Sequence, residues 1–215
     1  MSLQRIDVQP EGPVRGTIVL LPAAQQRLEQ FCEAGFDAAL RRRDLPLRLQ
    51  FVAPRLTHLT DHAWIESLRA EVIAGASQPV RPLWLGGISL GAFMALRYAA
   101  AHAGDIDGLC LIAPYLGSRI VAAEIARCGS LEQWQPGNLA ADDDERHVWA
   151  YLRTLRRAKP VMFVGLSRED RFADTQRLLA GAMAPGDCIE VPGRHEWPVW
   201  SQLWELYLDR LTAGT

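Results

Sequence analysis

The sequence predicts an α/β fold with a mostly parallel central sheet and helices on both faces. Short apolar runs rich in β-branched residues alternate with longer stretches at helical spacing, the pattern of strands joined by crossover helices. Most of the runs are apolar throughout, as strands covered on both faces require. The 215 residues, 49% hydrophobic and 22% charged, suffice for one sizeable core, burying about 70% of the unfolded surface.

Seven strands are expected, over 3–8, 17–21, 47–52, 82–86, 108–113, 161–166 and 188–191. Between the second and third, Phe31, Phe36 and Leu40 recur near a helical repeat over 28–40, and Arg41, Arg42 and Arg43 follow where cations favour the macrodipole. Thr60 or Asp61 is suited to cap a helix with Trp64, Leu68 and Val72 along one stripe and Gly75 at its end. A last helix takes Pro198 in its first turn and turns Val199, Leu203, Leu206 and Leu211 to the sheet. Residues 117–159 interrupt this rhythm with a mostly helical stretch, broken at Pro136 and Gly137 and carrying an acidic run over 142–145. They are read as a small helical cap inserted into a single domain spanning 1–215.

The sharpest local signal is LWLGGISLGAFMALRYA, where a strand runs into Gly87-Ile88-Ser89-Leu90-Gly91 and then into an apolar helix. A GxSxG turn in this setting is a nucleophile elbow: its middle residue takes strained backbone angles, and crowding two positions to either side admits only small residues. Gly87 and Gly91 fill both places, which favours a nucleophilic Ser89 over a merely structural glycine-rich turn. The hydroxyl also stands at a helix start, where backbone amides favour negative charge.

A serine hydroxyl is a poor nucleophile without a base, and the base needs an orienting acid. Of the five histidines, His195 follows the last strand in a glycine-containing loop and is the preferred base. His147 falls in the insertion, as a surface or pocket-lining residue. The run VMFVGLSREDRFAD places carboxylates just beyond the penultimate strand, where a loop can reach the imidazole. Asp170 is preferred; Glu169 and Asp174 are the alternatives, Asp174 also being a candidate helix cap.

With Ser89, Asp170 and His195 in this order, the chain resembles the α/β-hydrolase superfamily over nearly its whole length. Within it, LGGISLGA resembles small carboxylesterases and acyl thioesterases, and the run from His195 to Trp200 is similar to a His-x-Trp-x-x-Trp ending of some esterase branches. The resemblance implies a serine hydrolase that cleaves a carboxylic ester through an acyl-enzyme and needs no cofactor. Leu90 N–H would supply one oxyanion donor. Two departures from the family pattern matter. Pro22-Ala23 stands where His-Gly is common, and because proline has no N–H the second donor falls to Ala24, or to Ala23, with Gln25 and Gln26 as side-chain donors. The spacing from Gly165 to Asp170 is also slightly long, which keeps Glu169 in play. An acyl-CoA or acyl-carrier thioesterase and a non-catalytic ligand-binding relative are the other readings; Arg153, Arg156, Arg157 and Lys159 would serve a CoA substrate.

Other signals are weaker. His58 and His62 are four apart, but His58 precedes the expected helix and no third metal ligand is evident. The seven tryptophans are divided between core and pocket, with Trp197 and Trp200 beside His195 and Trp134 and Trp149 in the insertion. Four separated cysteines, with Cys110 and Cys188 in apolar runs, read as reduced packing residues. A net charge of −2 makes no case for nucleic acid. The opening MSLQRIDVQPEGP lacks an apolar signal region and no run approaches a membrane span, so a cytoplasmic enzyme of a small-molecule ester or thioester is expected.

Overall fold

The computed structural model describes residues 3–53, 63–74, 79–155 and 161–213. Seven strands form one sheet in the order β1-β3-β2-β4-β5-β6-β7: β1 Gln4–Val8, β2 Thr17–Leu21, β3 Arg48–Ala53, β4 Leu83–Ile88, β5 Gly108–Ile112, β6 Val161–Ser167 and β7 Cys188–Val191. Only β1 runs antiparallel to its neighbour; the other pairings are parallel. Every expected strand is present. The fourth differs most, because it continues through Gly86 and Gly87 to Ile88 and so delivers Ser89 directly from the sheet edge.

Helices cover both faces. On one lie α1 Glu29–Glu33, α2 Phe36–Arg42 and α8 Trp197–Ala213, packed on Ile18, Leu20, Leu49 and Phe51. On the other lie α3 Ala63–Leu68, α4 Leu90–His102, α5 Arg119–Arg127, α6 Asp144–Thr154 and α7 Ala173–Ala182, packed on Val19, Leu21, Leu83 and Leu85. Successive residues of β2 thus enter opposite halves of the core, as the pleat dictates.

The helix expected over 28–40 is two helices. Gly35 takes φ 80° and its N–H closes on the Cys32 carbonyl at 2.9 Å, a left-handed termination that glycine adopts without a Cβ penalty. The arginines that close α2 do more than favour its dipole. Arg42 and Arg43 pair with Glu205, and Arg43 with Asp209 at 2.6 Å, tying α2 to α8. Trp64, Leu68 and Val72 are buried as expected, and α3 passes into a π-helical turn, Arg69–Ile73. Thr60, Asp61, Gly75, His58 and His62 lie outside the described residues. In α8, Val199 and Leu203 are buried, whereas Leu206 and Leu211 are half-buried.

Residues 117–155 form part of the layer covering the sheet. Trp134 and Trp149 are fully buried core residues, not pocket walls; their indole N–H groups donate to Glu124 Oε1 at 2.9 Å and the Leu116 carbonyl at 3.1 Å. The acidic run has a local cause: Asp143 caps α6 by accepting from Arg146 N–H, and Asp144 pairs with Arg97 of α4 at 2.5 Å. None of the four cysteines is in a disulfide. Cys110 is buried, Cys32 and Cys188 are half-buried and Cys128 is exposed. Among the described residues no helix is long and apolar enough to cross a membrane.

Candidate active site

The order β3-β2-β4 places the chain after β2 beside the chain after β4, with Leu21 opposite Gly87. This reversal of strand order opens a crevice at the carboxyl ends of the strands, the usual ligand position in open α/β sheets. Ser89 sits there with φ 53° and ψ −111°. Such angles cost a non-glycine residue about 1–3 kcal/mol and persist only where the surroundings enforce them. Here they do: Ser89 N–H donates to the Ile112 carbonyl at 2.9 Å, and its carbonyl accepts from Phe93 and Tyr115 N–H at 3.2 and 3.1 Å. A Cβ on Gly91 would lie 2.1 Å from the Leu21 carbonyl oxygen, and one on Gly87 2.5 Å from the Gly91 carbonyl carbon. Leu90, first residue of α4, has no intrahelical acceptor for its N–H.

After β2, residues 23–26 form a turn closed by Gln26 N–H to the Ala23 carbonyl at 3.2 Å, with Gln25 at φ 63°. Ala23, Ala24 and Gln26 line one cavity of about 420 Å³ together with Ser89 and His195; Gln25 is not among its lining residues. Gln26 Oε1 is buried with no hydrogen-bond partner among the described residues.

His195 arrives on the loop after β7, its side chain 9% exposed. Its Nδ1 meets Asp170 Oδ2 at 2.7 Å, and the rings of Phe172 and Trp200 stand edge-on to the imidazole at 5.2 and 5.1 Å. Asp170 sits after β6 with a fully buried side chain. Burial raises its pKa, but the hydrogen bonds from His195, the Phe172 N–H at 2.8 Å and the Gln176 amide outweigh this and leave the pKa lowered. The carboxylate therefore stays ionised in a dry setting because it is fully coordinated.

The two alternative acids occupy other positions. Glu169 accepts a short hydrogen bond from Gly193 N–H, and its own N–H donates to the Gly193 carbonyl at 3.1 Å. It clamps the His195 loop to the end of β6. Asp174 lies in the first turn of α7, exposed and paired with Arg177 at 3.2 Å; Phe172 takes the N-cap position. His147 bonds the Ala140 carbonyl at 3.0 Å, away from the cavity.

Sequence reasoning missed two groups around Asp170. Ser167 Oγ donates to Oδ2 at 3.3 Å, and Gln176 Nε2 bridges Oδ2 and the Pro114 carbonyl at 3.1 and 3.2 Å. Gln176 carried a signal: it is a polar residue on the same helical stripe as Leu179, and both are buried. Of the tryptophans, Trp200 lines the cavity, whereas Trp197 packs on Phe31, Phe36 and Trp200 and Trp204 stacks on Phe36. Arg153 bonds the Glu132 carbonyl; Arg156, Arg157 and Lys159 fall outside the described residues. From the insertion Gly117, Ser118 and Arg119 line a second cavity of about 280 Å³.

No protein-family model matches the chain, and no curated protein matches it in sequence. Solved structures do match in shape. An S-formylglutathione hydrolase of Staphylococcus aureus superposes with a TM-score of 0.66 at 11% identity, covering 97% of this chain and 89% of that one. Est1E of Butyrivibrio proteoclasticus gives 0.62 at 15%, covering 98% and 95%. A monoacylglycerol lipase of Paleococcus ferrophilus gives 0.58 at 15%, covering 98% of each chain. The chain has the α/β-hydrolase fold.

Proposed function

We propose that the protein is a serine hydrolase that cleaves a carboxylic ester, with Ser89, His195 and Asp170 as its catalytic triad and 1–215 as one catalytic unit. One observation carries the reading: Ser89, held on a strained elbow, shares a cavity with a histidine whose Nδ1 is bonded to a buried carboxylate. The activities named for the compared proteins, a hydrolase of S-formylglutathione and a lipase of monoacylglycerol, are of the same general kind.

In this mechanism Asp170 keeps the proton on Nδ1, leaving the Nε2 lone pair for Ser89. Ser89 Oγ attacks the ester carbonyl carbon as Nε2 takes its proton. Leu90 N–H and an amide of the 23–26 turn, Ala24 first, bind the oxyanion; each such donor contributes about 2.7–4 kcal/mol to transition-state stabilisation. Collapse of the tetrahedral species breaks the bond to the alcohol, which leaves with the proton from Nε2. Water then attacks the acyl-serine by the same proton route, releasing the acid and restoring Ser89.

The direct test is turnover of 4-nitrophenyl acetate and butyrate by wild type and Ser89→Ala. Hydrolysis by wild type that falls to background in a folded Ser89→Ala protein is expected; undiminished turnover in the variant would overturn the assignment.

A further inference from the structure

The 280 Å³ cavity adjoins the reacting centre. It is lined by Tyr115, Arg119, Arg171, Phe172 and Thr175, among others. Tyr115 donates its N–H to the Ser89 carbonyl, the Phe172 ring stands edge-on to His195, and Arg171 lines this cavity and the Ser89 cavity alike.

Arginine is abundant in this chain, and most of the described guanidinium groups are engaged. Arg43, Arg97 and Arg146 are in ion pairs, and Arg127 and Arg153 donate to backbone carbonyls. Arg119, Arg171 and Arg194 have no carboxylate partner among the described residues, and all three line one or both of these cavities. Two acids adjoin the smaller cavity: Asp174, which lines it and pairs with Arg177, and Glu145, which accepts from the N–H and hydroxyl of Ser118, each at 2.7 Å. Arg171 is further steadied by lying 4.8 Å over the Phe172 ring. Two unpaired guanidiniums on an aromatic wall suit a carboxylate or phosphate, which the planar fork binds with two parallel hydrogen bonds.

We propose that this cavity is the subsite for an anionic group, carboxylate or phosphate, carried by the ester whose carbonyl lies at Ser89, with Arg171 and Arg119 as specificity-determining residues. The inference rests on the ester-hydrolase reading and names its substrate class.

Two measurements on the intact protein separate them. The first compares kcat/KM for 4-nitrophenyl esters of matched length ending in methyl, carboxylate or phosphonate, and for butyryl esters of 4-hydroxybenzoate and of its methyl ester. The arms report whether carboxylate or phosphate is preferred and on which side of the ester. A preference of about tenfold or more for a charged ester is expected, residing in KM. It should collapse in Arg171→Gln and Arg119→Gln, be partly restored in Arg171→Lys, and shrink with salt. Ester turnover without such a preference, or with one that both Gln variants retain, would overturn the subsite and leave the hydrolase reading standing. The second measures calorimetric binding of glutarate and of glycerol phosphate to Ser89→Ala protein, where no chemistry intervenes. Binding of either anion weakened about tenfold by each Gln variant supports the subsite even if no ester is turned over. Equal binding by all variants, or none by any, refutes it.

Discussion

Two successive carboxylates, Glu169 and Asp170, follow β6, and the difference between them is one of environment. Asp170 is buried and receives hydrogen bonds from His195, Ser167, Gln176 and the Phe172 amide, so it can hold an imidazolium as it forms. Glu169 faces the Gly193 amide instead. Asp170→Asn would favour the wrong imidazole tautomer, and a loss of about 10⁴-fold in kcat is expected with the fold retained. Glu169→Gln keeps an oxygen for Gly193 N–H and should lose less than about tenfold. Steady-state kinetics of the two variants decide the matter; the reverse ranking would make Glu169 the orienting acid. Glu169 stays ambiguous in the sequence because both acids follow the same strand, and only the packed loop after β7 distinguishes them.

The elbow joins β4 to α4 by backbone contact with β2. Gly91 and Gly87 are required because the Leu21 carbonyl and the helix backbone leave no room for a Cβ, and none of these atoms belongs to a flexible side chain that could yield. Gly91→Ala is therefore expected to destabilise the protein by at least the upper end of the usual overpacking range, about 1–3 kcal/mol. Gly181→Ala, in α7 with nothing within 4 Å of the new Cβ, should instead be neutral or add up to about 1 kcal/mol. Urea unfolding of both variants checks this, and equal effects would contradict it. The elbow was legible because its constraints are local: strand, tight turn and helix adjoin in the chain. The break at Gly35 was not, since a glycine between two apolar stretches is compatible with either a continuous or a divided helix until α8 packs against both pieces. The insertion was equally opaque. Its composition announces helices, but not that Trp134 and Trp149 would bury themselves in the main core.

Across the fold, several carboxylates have lowered pKa values. In Asp105 the Arg69 hydrogen bond is the main cause. In Asp107 burial opposes the shift and is outweighed by Arg81 and the Leu83 amide. In Glu124 the main cause is the Arg146 bond, and Asp170 follows the pattern given above. A carboxylate whose folded pKa is depressed stabilises the fold fully above its unfolded pKa, and that stability is lost as pH falls through the folded value. The urea midpoint should therefore hold steady from pH 7 to about 5 and fall below about 4; a midpoint that rises on acidification would contradict the assignment. The parallel sheet, predicted from alternation, brings the ends of β2, β4, β6 and β7 to one side, where Ser89, Asp170 and His195 stand although they are far apart in the chain; the strand order itself was not legible. The coordination of Asp170 by Ser167 and Gln176 was hidden because it depends on the docking of α7 against β6. The most direct test of a single working site is intact-mass spectrometry after treatment with an organophosphonate. One adduct on Ser89 is predicted, absent in Ser89→Ala and much slower to form in His195→Ala. An unlabelled wild type, or an adduct that survives in Ser89→Ala, would contradict it.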